Sequence, residues 1–145
     1  MKIGLGSDHG GYELKDRIKK HLMENNIEVV DYGTNSSESV DYPDFGKKLA
    51  EAVVAKEVDR GIVICGTGIG ISIAANKVKG IRAALCSDSY SAKMSMEHNN
   101  ANVLALGARV LGEGLALDIV DTWINTKFQG GRHEIRVNKI SEIEA

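Results

Sequence analysis

A cysteine followed by three alternating glycines is the segment of this chain whose residue types are best suited to chemistry. An apolar run ends at Cys65, and Gly66, Gly68 and Gly70 follow it directly. A thiol at the junction of a strand and a helix lies beside backbone N–H groups that no side chain covers, and such donors favour a thiolate and a neighbouring oxyanion. The segment therefore predicts a reaction centre, although a tight turn that only brings backbones together has the same composition.

Other glycine and cysteine motifs do not fit this segment. Its spacing differs from the G-x-G-x-x-G of dinucleotide-binding proteins, and no Gly-Lys-Ser/Thr follows as in a P-loop. A cysteine phosphatase requires an arginine six positions after the cysteine, where this chain has Ile71. A redox thiol normally has a partner cysteine nearby, but Cys86 closes a different apolar run and is predicted to be a core residue. The remaining interpretation is a turn of N–H donors for an enolate-type oxygen.

Two histidines lie at predicted junctions between loops and helices. His9 follows the first apolar run within Asp8-His9-Gly10-Gly11, and His98 closes a helical pattern before the last run. The carboxyl end of a helix favours a cationic imidazole, which makes His98 a candidate proton donor near neutral pH. The alternative for either residue is an ordinary structural or exposed histidine.

A basic group lies near the end of the chain. Arg132 and Arg136 are spaced i, i+4 and so share one helical face. Two guanidinium groups on one face can hold a phosphate dianion, and Arg109 can add a third charge. The alternative is a solvated basic tail, and the sequence does not decide whether these arginines serve their own subunit or a neighbour.

Short apolar runs that alternate with helical patterns must position these groups. Continuously apolar runs are typical of strands buried on both faces of a parallel sheet, so the chain predicts an open α/β sheet covered on both sides in one domain, residues 1–145. The predicted strands are Lys2–Gly6, Glu28–Tyr32, Gly61–Cys65, Ile81–Cys86 and Asn102–Gly107. The predicted helical features are Pro43 in a first turn, Ile71–Lys77, Asp88 as the cap of Ser89–His98, Leu115–Ile124 and Arg132–Glu144.

The carboxyl ends of such strands meet at one edge of the sheet, where ligands bind. That edge is predicted to gather Ser7-Asp8-His9-Gly10, Gly33-Thr34, Cys65-Gly66-Thr67, Ser87-Asp88 and Gly107-Ala108-Arg109. The longest predicted loop, Asn35–Asp41, is a candidate wall for this site.

Composition narrows the class of protein. The chain has 145 residues and a formal net charge of -2, so no global basic field would recruit nucleic acid. No apolar stretch is long enough to span a bilayer, and the first residues lack the apolar region of a signal peptide. We therefore expect a cytoplasmic protein without a membrane or nucleic-acid partner.

Together these motifs resemble ribose-5-phosphate isomerase type B, in the family that also contains the galactose-6-phosphate isomerase subunits. The resemblance covers essentially the whole chain, and its most specific parts are Cys65–Ser72 and Gly130-Gly131-Arg132-His133. It implies a Rossmann-like three-layer α/β/α sandwich with a five-stranded parallel sheet, and a homodimer with active sites shared between subunits. It also implies interconversion of ribose 5-phosphate and ribulose 5-phosphate without a metal or an organic cofactor. In galactose-6-phosphate isomerase two different chains divide the catalytic set, whereas this chain carries all of it.

The resemblance also implies individual roles. Cys65 would be the base that moves a proton between C2 and C1, His98 would open the furanose ring, and Thr67 would move a proton between the two oxygens. The residues implied in substrate binding are Asp8, His9, Tyr42, Gly66, Gly68, Ile69, Gly70, Asn99, Arg109, Arg132 and Arg136. The alternatives are an isomerase of a six-carbon phosphosugar and a sugar-phosphate-binding regulator without catalysis. The apolar helix Leu115–Ile124 leaves room for a tetramer.

Overall fold

Five parallel strands form one sheet with helices on both faces in the computed structural model, which describes residues 1–145. The strands are β1 (Lys2–Ser7), β2 (Glu28–Asp31), β3 (Arg60–Cys65), β4 (Ala83–Leu85) and β5 (Val103–Gly107). The helices are α1 (Tyr12–Glu24), α2 (Tyr42–Val54), α3 (Ile69–Asn76), α4 (Ser89–Glu97), α5 (Glu113–Asn125) and α6 (Arg132–Ile143). The strand order β2-β1-β3-β5-β4 confirms the predicted three-layer α/β/α sandwich.

Alternation along the central strand builds two separate cores. Ile62 and Ile64 of β3 face the core formed with α1, α4 and α5, which also contains Trp123. Val63 and Cys65 face the opposite core, formed with α2 and α3. Because side chains alternate along a strand, these apolar runs bury both of their faces, and Cys65 projects toward α2 and α3.

Two helix starts follow directly from local chemistry. Asp88 caps α4, since its carboxylate accepts the N–H of Ser91 at 2.7 Å. Pro43 lies in the first turn of α2, where its missing N–H costs nothing. Both features were predicted.

Most element boundaries differ from the prediction by one or two residues, and two of the differences have a clear local cause. Strand β4 is shorter than Ile81–Cys86, because it lies at the sheet edge and the N–H of Arg82 donates to the side chain of Asn102 (2.8 Å) instead of extending the ladder. Helix α3 begins at Ile69, two residues before the predicted start, because the left-handed Gly68 (φ 78°) turns the chain sharply out of β3.

The apolar stripe of α5 packs on the core of its own chain. Ala116, Ile119, Val120 and Trp123 are buried there, and Leu115 is the one large apolar residue of the stripe left exposed. Arg60, at the start of β3, donates to the carbonyls of Trp123 (3.0 Å) and Ile124 (2.9 Å) at the end of the helix. The end of α5 therefore lies at the amino edge of the sheet, and this stripe supplies little surface for a tetramer contact.

Candidate active site

Cys65 lies at the carboxyl end of β3 with its sulfur held by the following turn. The N–H of Gly68 donates to Cys65 Sγ at 3.1 Å, and the N–H of Ile69 donates to Thr67 Oγ1 at 3.2 Å. The N–H groups of Gly66, Thr67 and Gly70 make no hydrogen bond within the chain. The turn thus combines a donor on the sulfur with further donors available to an oxyanion.

Close packing explains why this turn is built from glycine. A Cβ on Gly68 would lie 2.8 Å from the carbonyl carbon of Leu106, and one on Gly107 would lie 2.5 Å from the carbonyl oxygen of Thr67. The N–H groups of Ala108 and Arg109 donate to the carbonyls of Cys65 and Gly66, both at 2.9 Å. The turn therefore lies directly on the end of β5, where no side chain fits between the two backbones.

The end of β1 brings a carboxylate and an imidazole to the same edge. Asp8 is buried and its Oδ1 accepts the N–H of Gly11 at 3.0 Å. His9 Nδ1 accepts the N–H of Val40 at 3.1 Å. Since an N–H donor requires an unprotonated acceptor, the neutral imidazole of His9 carries its proton on Nε2, from where it can donate to a ligand.

Arg109 and Tyr42 complete an open cleft of about 470 Å³ around the thiol. The guanidinium of Arg109 lies 3.2 Å from the position of a Cβ on Gly66, and the ring of Tyr42 lies 2.5 Å from that of a Cβ on Gly70. The cleft is lined by Asp8, Tyr42, Cys65, Gly66, Thr67, Ile69, Gly70, Ile73 and Arg109. These residues, together with His9, are called the thiol cleft below.

The remaining predicted residues form a second group. His98 caps the end of α4, and its ring stacks on that of His133 with centroids 4.2 Å apart and an interplanar angle of 11°. His133 lies in the first turn of α6 between Arg132 and Arg136, and the carbonyl of Asn99 accepts Arg82 Nε at 3.1 Å. We call His98, Asn99, Arg132, His133 and Arg136 the basic cluster.

Charge and burial act together on His133. Burial lowers its pKa below the usual 6.5, and the neighbouring positive charges of His98, Arg132 and Arg136 lower it further against the opposing effect of Glu97. The neutral form of His133 is thus favoured inside a group of cations.

The thiol cleft and the basic cluster lie at opposite edges of the sheet. Cys65 pairs with Gly107 at the carboxyl end of β5, whereas His98 precedes Val103 at its amino end. The five residues of β5 alone span roughly 13 Å at about 3.3 Å per residue. One chain therefore does not bring His98, Asn99, Arg132 or Arg136 to Cys65, but it does bring Arg109 there.

Sequence reasoning assigned no role to His133. The Gly-Gly-Arg-His motif contains it, but its stacking on His98 joins residues 35 positions apart through the approach of α6 to the end of α4. A hydrogen bond from the N–H of Gln129 to the carbonyl of Glu97 (3.1 Å) fixes that approach.

Cys86 behaves as the predicted core thiol. It is buried beside Met96 and Ala92 in the core opposite to Cys65. Burial raises its pKa to about 11. The two cysteines of the chain are therefore chemically distinct.

The fold and the thiol cleft together define a Rossmann-like α/β protein whose polar groups converge on one cleft at the carboxyl edge of its sheet, the edge at which such folds bind small ligands. A family model described as Ribose/Galactose Isomerase matches residues 3–140. The chain belongs to this family, and the enzyme class that the resemblance implied, an aldose–ketose isomerase, is confirmed.

Similar proteins agree on this class. The chain is 69% identical to the ribose-5-phosphate isomerase B of Clostridium thermocellum, with a TM-score of 0.98 and coverage of 99% of this chain and 97% of that one. It is 55% identical to the ribose-5-phosphate isomerase B of Escherichia coli, over 99% of this chain and 96% of the relative. It is also 43% identical to the D-erythrulose-4-phosphate isomerase of Pectobacterium atrosepticum, over 99% and 95%.

Two further structural findings concern metal ions and membranes. Nowhere in the chain do three or more His, Cys, Asp and Glu side chains lie close enough together to hold a metal ion. None of the six helices combines the length and apolar character needed to cross a membrane.

Proposed function

We propose that this protein interconverts ribose 5-phosphate and ribulose 5-phosphate as a homodimer whose active site combines the thiol cleft of one subunit with the basic cluster of the other. The observation that carries the proposal is the division of complementary groups between the two edges of the sheet. A base and its oxyanion donors lie at one edge, and a proton donor and phosphate-binding cations lie at the other. Each edge supplies what the other lacks.

Apolar surface beside both groups supports the pairing of two copies. Ile69 and Ile73, about half exposed, border the thiol cleft. On α6, Ile135, Ile140 and Ile143 are exposed next to the basic cluster. Large apolar side chains concentrated near a polar site are typical of subunit interfaces.

Phosphate binding would fix the substrate without acting on the reacting carbon. Arg132 and Arg136 of the second subunit hold the dianion, and Arg109 of the first adds a charge from inside the cleft. Binding energy spent on this remote group orients C2 over the sulfur.

Ring opening requires a proton donor at the furanose oxygen. We assign this role to His98, which caps the carboxyl end of α4 and stacks on His133 within the basic cluster. His9 donates from Nε2 to a sugar hydroxyl, while the Asp8 carboxylate accepts from another. Tyr42 and Asn99 would line the same bound sugar.

Proton transfer then passes through a cis-enediolate. The Cys65 thiolate takes the proton from C2 of the open-chain aldose, and the thiol returns it to C1 to give the ketose. The Thr67 hydroxyl moves the proton from O2 to O1. The N–H groups of the Gly66–Gly70 turn stabilise the negative charge on these oxygens. One such donor typically stabilises a transition state by about 3 kcal/mol.

The main alternative to this proposal is a phosphosugar substrate with a different number of carbons. The open cleft does not limit the substrate on one side, and one relative is named for a four-carbon phosphosugar. We therefore place ribose 5-phosphate first, with erythrulose 4-phosphate and the six-carbon allose and galactose 6-phosphates as competitors.

Two free thiols and a role in sugar metabolism also favour a cytoplasmic location.

The test is conversion of ribose 5-phosphate in deuterated water by the wild type, Cys65→Ala and the matched control Cys86→Ala. We expect turnover with solvent deuterium in the product from the wild type and the control only. No turnover of any phosphosugar by a folded wild type would contradict the proposal. Turnover restricted to another chain length would correct the substrate.

A further inference from the structure

Lys15 is the one lysine or arginine among the buried residues, and its side chain is wholly inaccessible. Its ammonium contacts Asp31 Oδ1 at 2.7 Å, Asp31 Oδ2 at 2.8 Å and Asn35 Oδ1 at 2.9 Å. A lysine has three N–H donors, so these contacts leave none unsatisfied. Removing such a charge from water is costly even when it is paired, which suggests a task beyond stability.

Asp31 supplies the compensating charge. Burial would raise the pKa of this carboxyl, but hydrogen bonds from Lys15 and the Gly33 N–H, with the charges of Lys15 and Lys19, lower it overall. Asp31 ends β2, so the ion pair joins α1 firmly to the carboxyl edge of the sheet.

Asn35 is the outermost of the three groups and begins the loop 35–41. Residues 35–39 are exposed. Apart from the backbone bond from the Asp44 N–H to the Asp41 carbonyl at the start of α2, the loop has two hydrogen bonds to the rest of the chain. They run from Lys15 to Asn35 at its start and from the Val40 N–H to His9 Nδ1 near its end. The first of these two bonds comes from the first turn of α1 and the second leads to the segment between β1 and α1, so the loop bridges Lys15 and His9.

We propose that Lys15 is a positioning residue for His9. By holding Asn35 it fixes the loop, which keeps the Val40 N–H on His9 Nδ1 and leaves the Nε2 proton directed to a ligand. The role of His9 toward the sugar rests on the proposed function, but the control of its tautomer does not.

The test uses Asn35→Ala, because Asn35 is exposed and the variant leaves the Lys15–Asp31 pair intact. Ser37→Ala in the same loop is the matched control, since no side-chain hydrogen bond involves Ser37. Asn35→Asp keeps an oxygen for the ammonium and should restore the wild-type behaviour. Imidazole ¹⁵N shifts recorded above the titration range, with His9→Gln for assignment, report the tautomer directly.

We expect His9 to change from a single Nε2–H tautomer to a mixture in Asn35→Ala, and kcat/KM to fall roughly five- to tenfold. Asn35→Asp and Ser37→Ala should match the wild type in both measurements. Equal ¹⁵N shifts and equal kcat/KM in Asn35→Ala and Ser37→Ala would overturn the proposal. If the wild type fails to isomerise phosphosugars but the tautomer still responds to Asn35→Ala, the proposed function is wrong and the positioning role stands.

Discussion

The thiol cleft and the basic cluster differ in the groups that stabilise negative charge: backbone N–H groups in the first and side chains in the second. In the cleft, the donors around Cys65 are mainly backbone N–H groups, which remain in place because the glycine turn lies against β5. In the basic cluster, the charge comes from side chains of α4 and α6 that meet through the stacked His98 and His133. The N–H donors of the thiol cleft belong to the backbone, so side-chain substitutions do not replace them. The charge of the basic cluster, in contrast, can be changed one residue at a time.

The most severe test of this division is complementation between two inactive chains. Cys65→Ala and His98→Ala should each lose roughly 100-fold or more of kcat, the size expected for a catalytic acid or base. If the regions serve each other across a dimer, refolding the two variants together should restore about a quarter of the wild-type sites, because half of randomly paired dimers carry one intact site of two.

The control for complementation is each variant refolded alone. No recovery in a mixture whose heterodimer is verified by mass would mean that the two regions do not share a site. The thiol cleft and the basic cluster would then be two unrelated surfaces.

Thiol reactivity should separate Cys65 from Cys86. With a pKa of about 11, Cys86 is ionised in only about one molecule per thousand at pH 8. Iodoacetamide at that pH should therefore modify Cys65 at least roughly 100-fold faster, which peptide mass spectrometry would measure. Faster labelling of Cys86 would contradict the assignment of the reactive thiol.

Arg132→Ala sharpens the role of the basic cluster. We expect KM for the phosphosugar to rise roughly 30-fold, the size of one lost charge-assisted hydrogen bond, with a smaller change in kcat. The same variant should leave the weak turnover of unphosphorylated ribose unchanged. Lys139→Ala, also on α6, is the control for a general loss of charge, and equal losses for both sugars would rule out phosphate binding.

Alanine substitutions at Gly68 and Gly114 compare a tightly packed backbone position with an open one. Gly68→Ala places a Cβ against Leu85 and Leu106 at a left-handed residue, so we expect a lower Tm and at least a tenfold lower kcat. Gly114 lies in α5 with nothing within 4 Å of its Cβ position, so Gly114→Ala should stabilise the fold by about 0.5–1 kcal/mol. Thermal unfolding and initial rates measure both, and a Gly68→Ala enzyme with normal kcat would remove the turn from the mechanism.

The smallest expected effect is the pH response of the basic cluster. The folded-state pKa of His133 lies below its unfolded value, so the unfolded chain binds the proton more readily and stability falls as the pH drops below about 6.5. His133→Gln should reduce the loss of Tm between pH 7.5 and 5.5. An unchanged loss would show that another group dominates.

The sequence predicted the parts of the fold that depend on local patterns. Continuous apolar runs such as Ile62–Cys65 identified the buried strands, and Asp88 and Pro43 identified helix starts. Strand β4 was predicted, but its late start was not, because the contact before it, from the Arg82 N–H to the side chain of Asn102, joins residues 20 positions apart. Such a contact leaves no periodic trace in the sequence.

The sequence predicted which residues belong to the candidate site but not that they form two groups at opposite edges of the sheet. Because parallel strands place their carboxyl ends at one edge, Asp8, Cys65 and Arg109 were assigned to that edge, and they do line one cleft. The chemistry expected of His98 and Arg132 gave no indication that they lie at the other edge, since a residue type does not encode where its helix ends. Their functional roles, like those of the cleft, remain predictions.

The placement of the two regions at opposite edges also has an evolutionary consequence. In the proposed dimer, one copy could lose its thiol and the other its basic cluster after a gene duplication, and a mixed pair would still keep one complete site. Such copies would become mutually dependent without acquiring any new function. A dimer with sites shared in this way can therefore give rise to an obligate two-gene enzyme by loss alone.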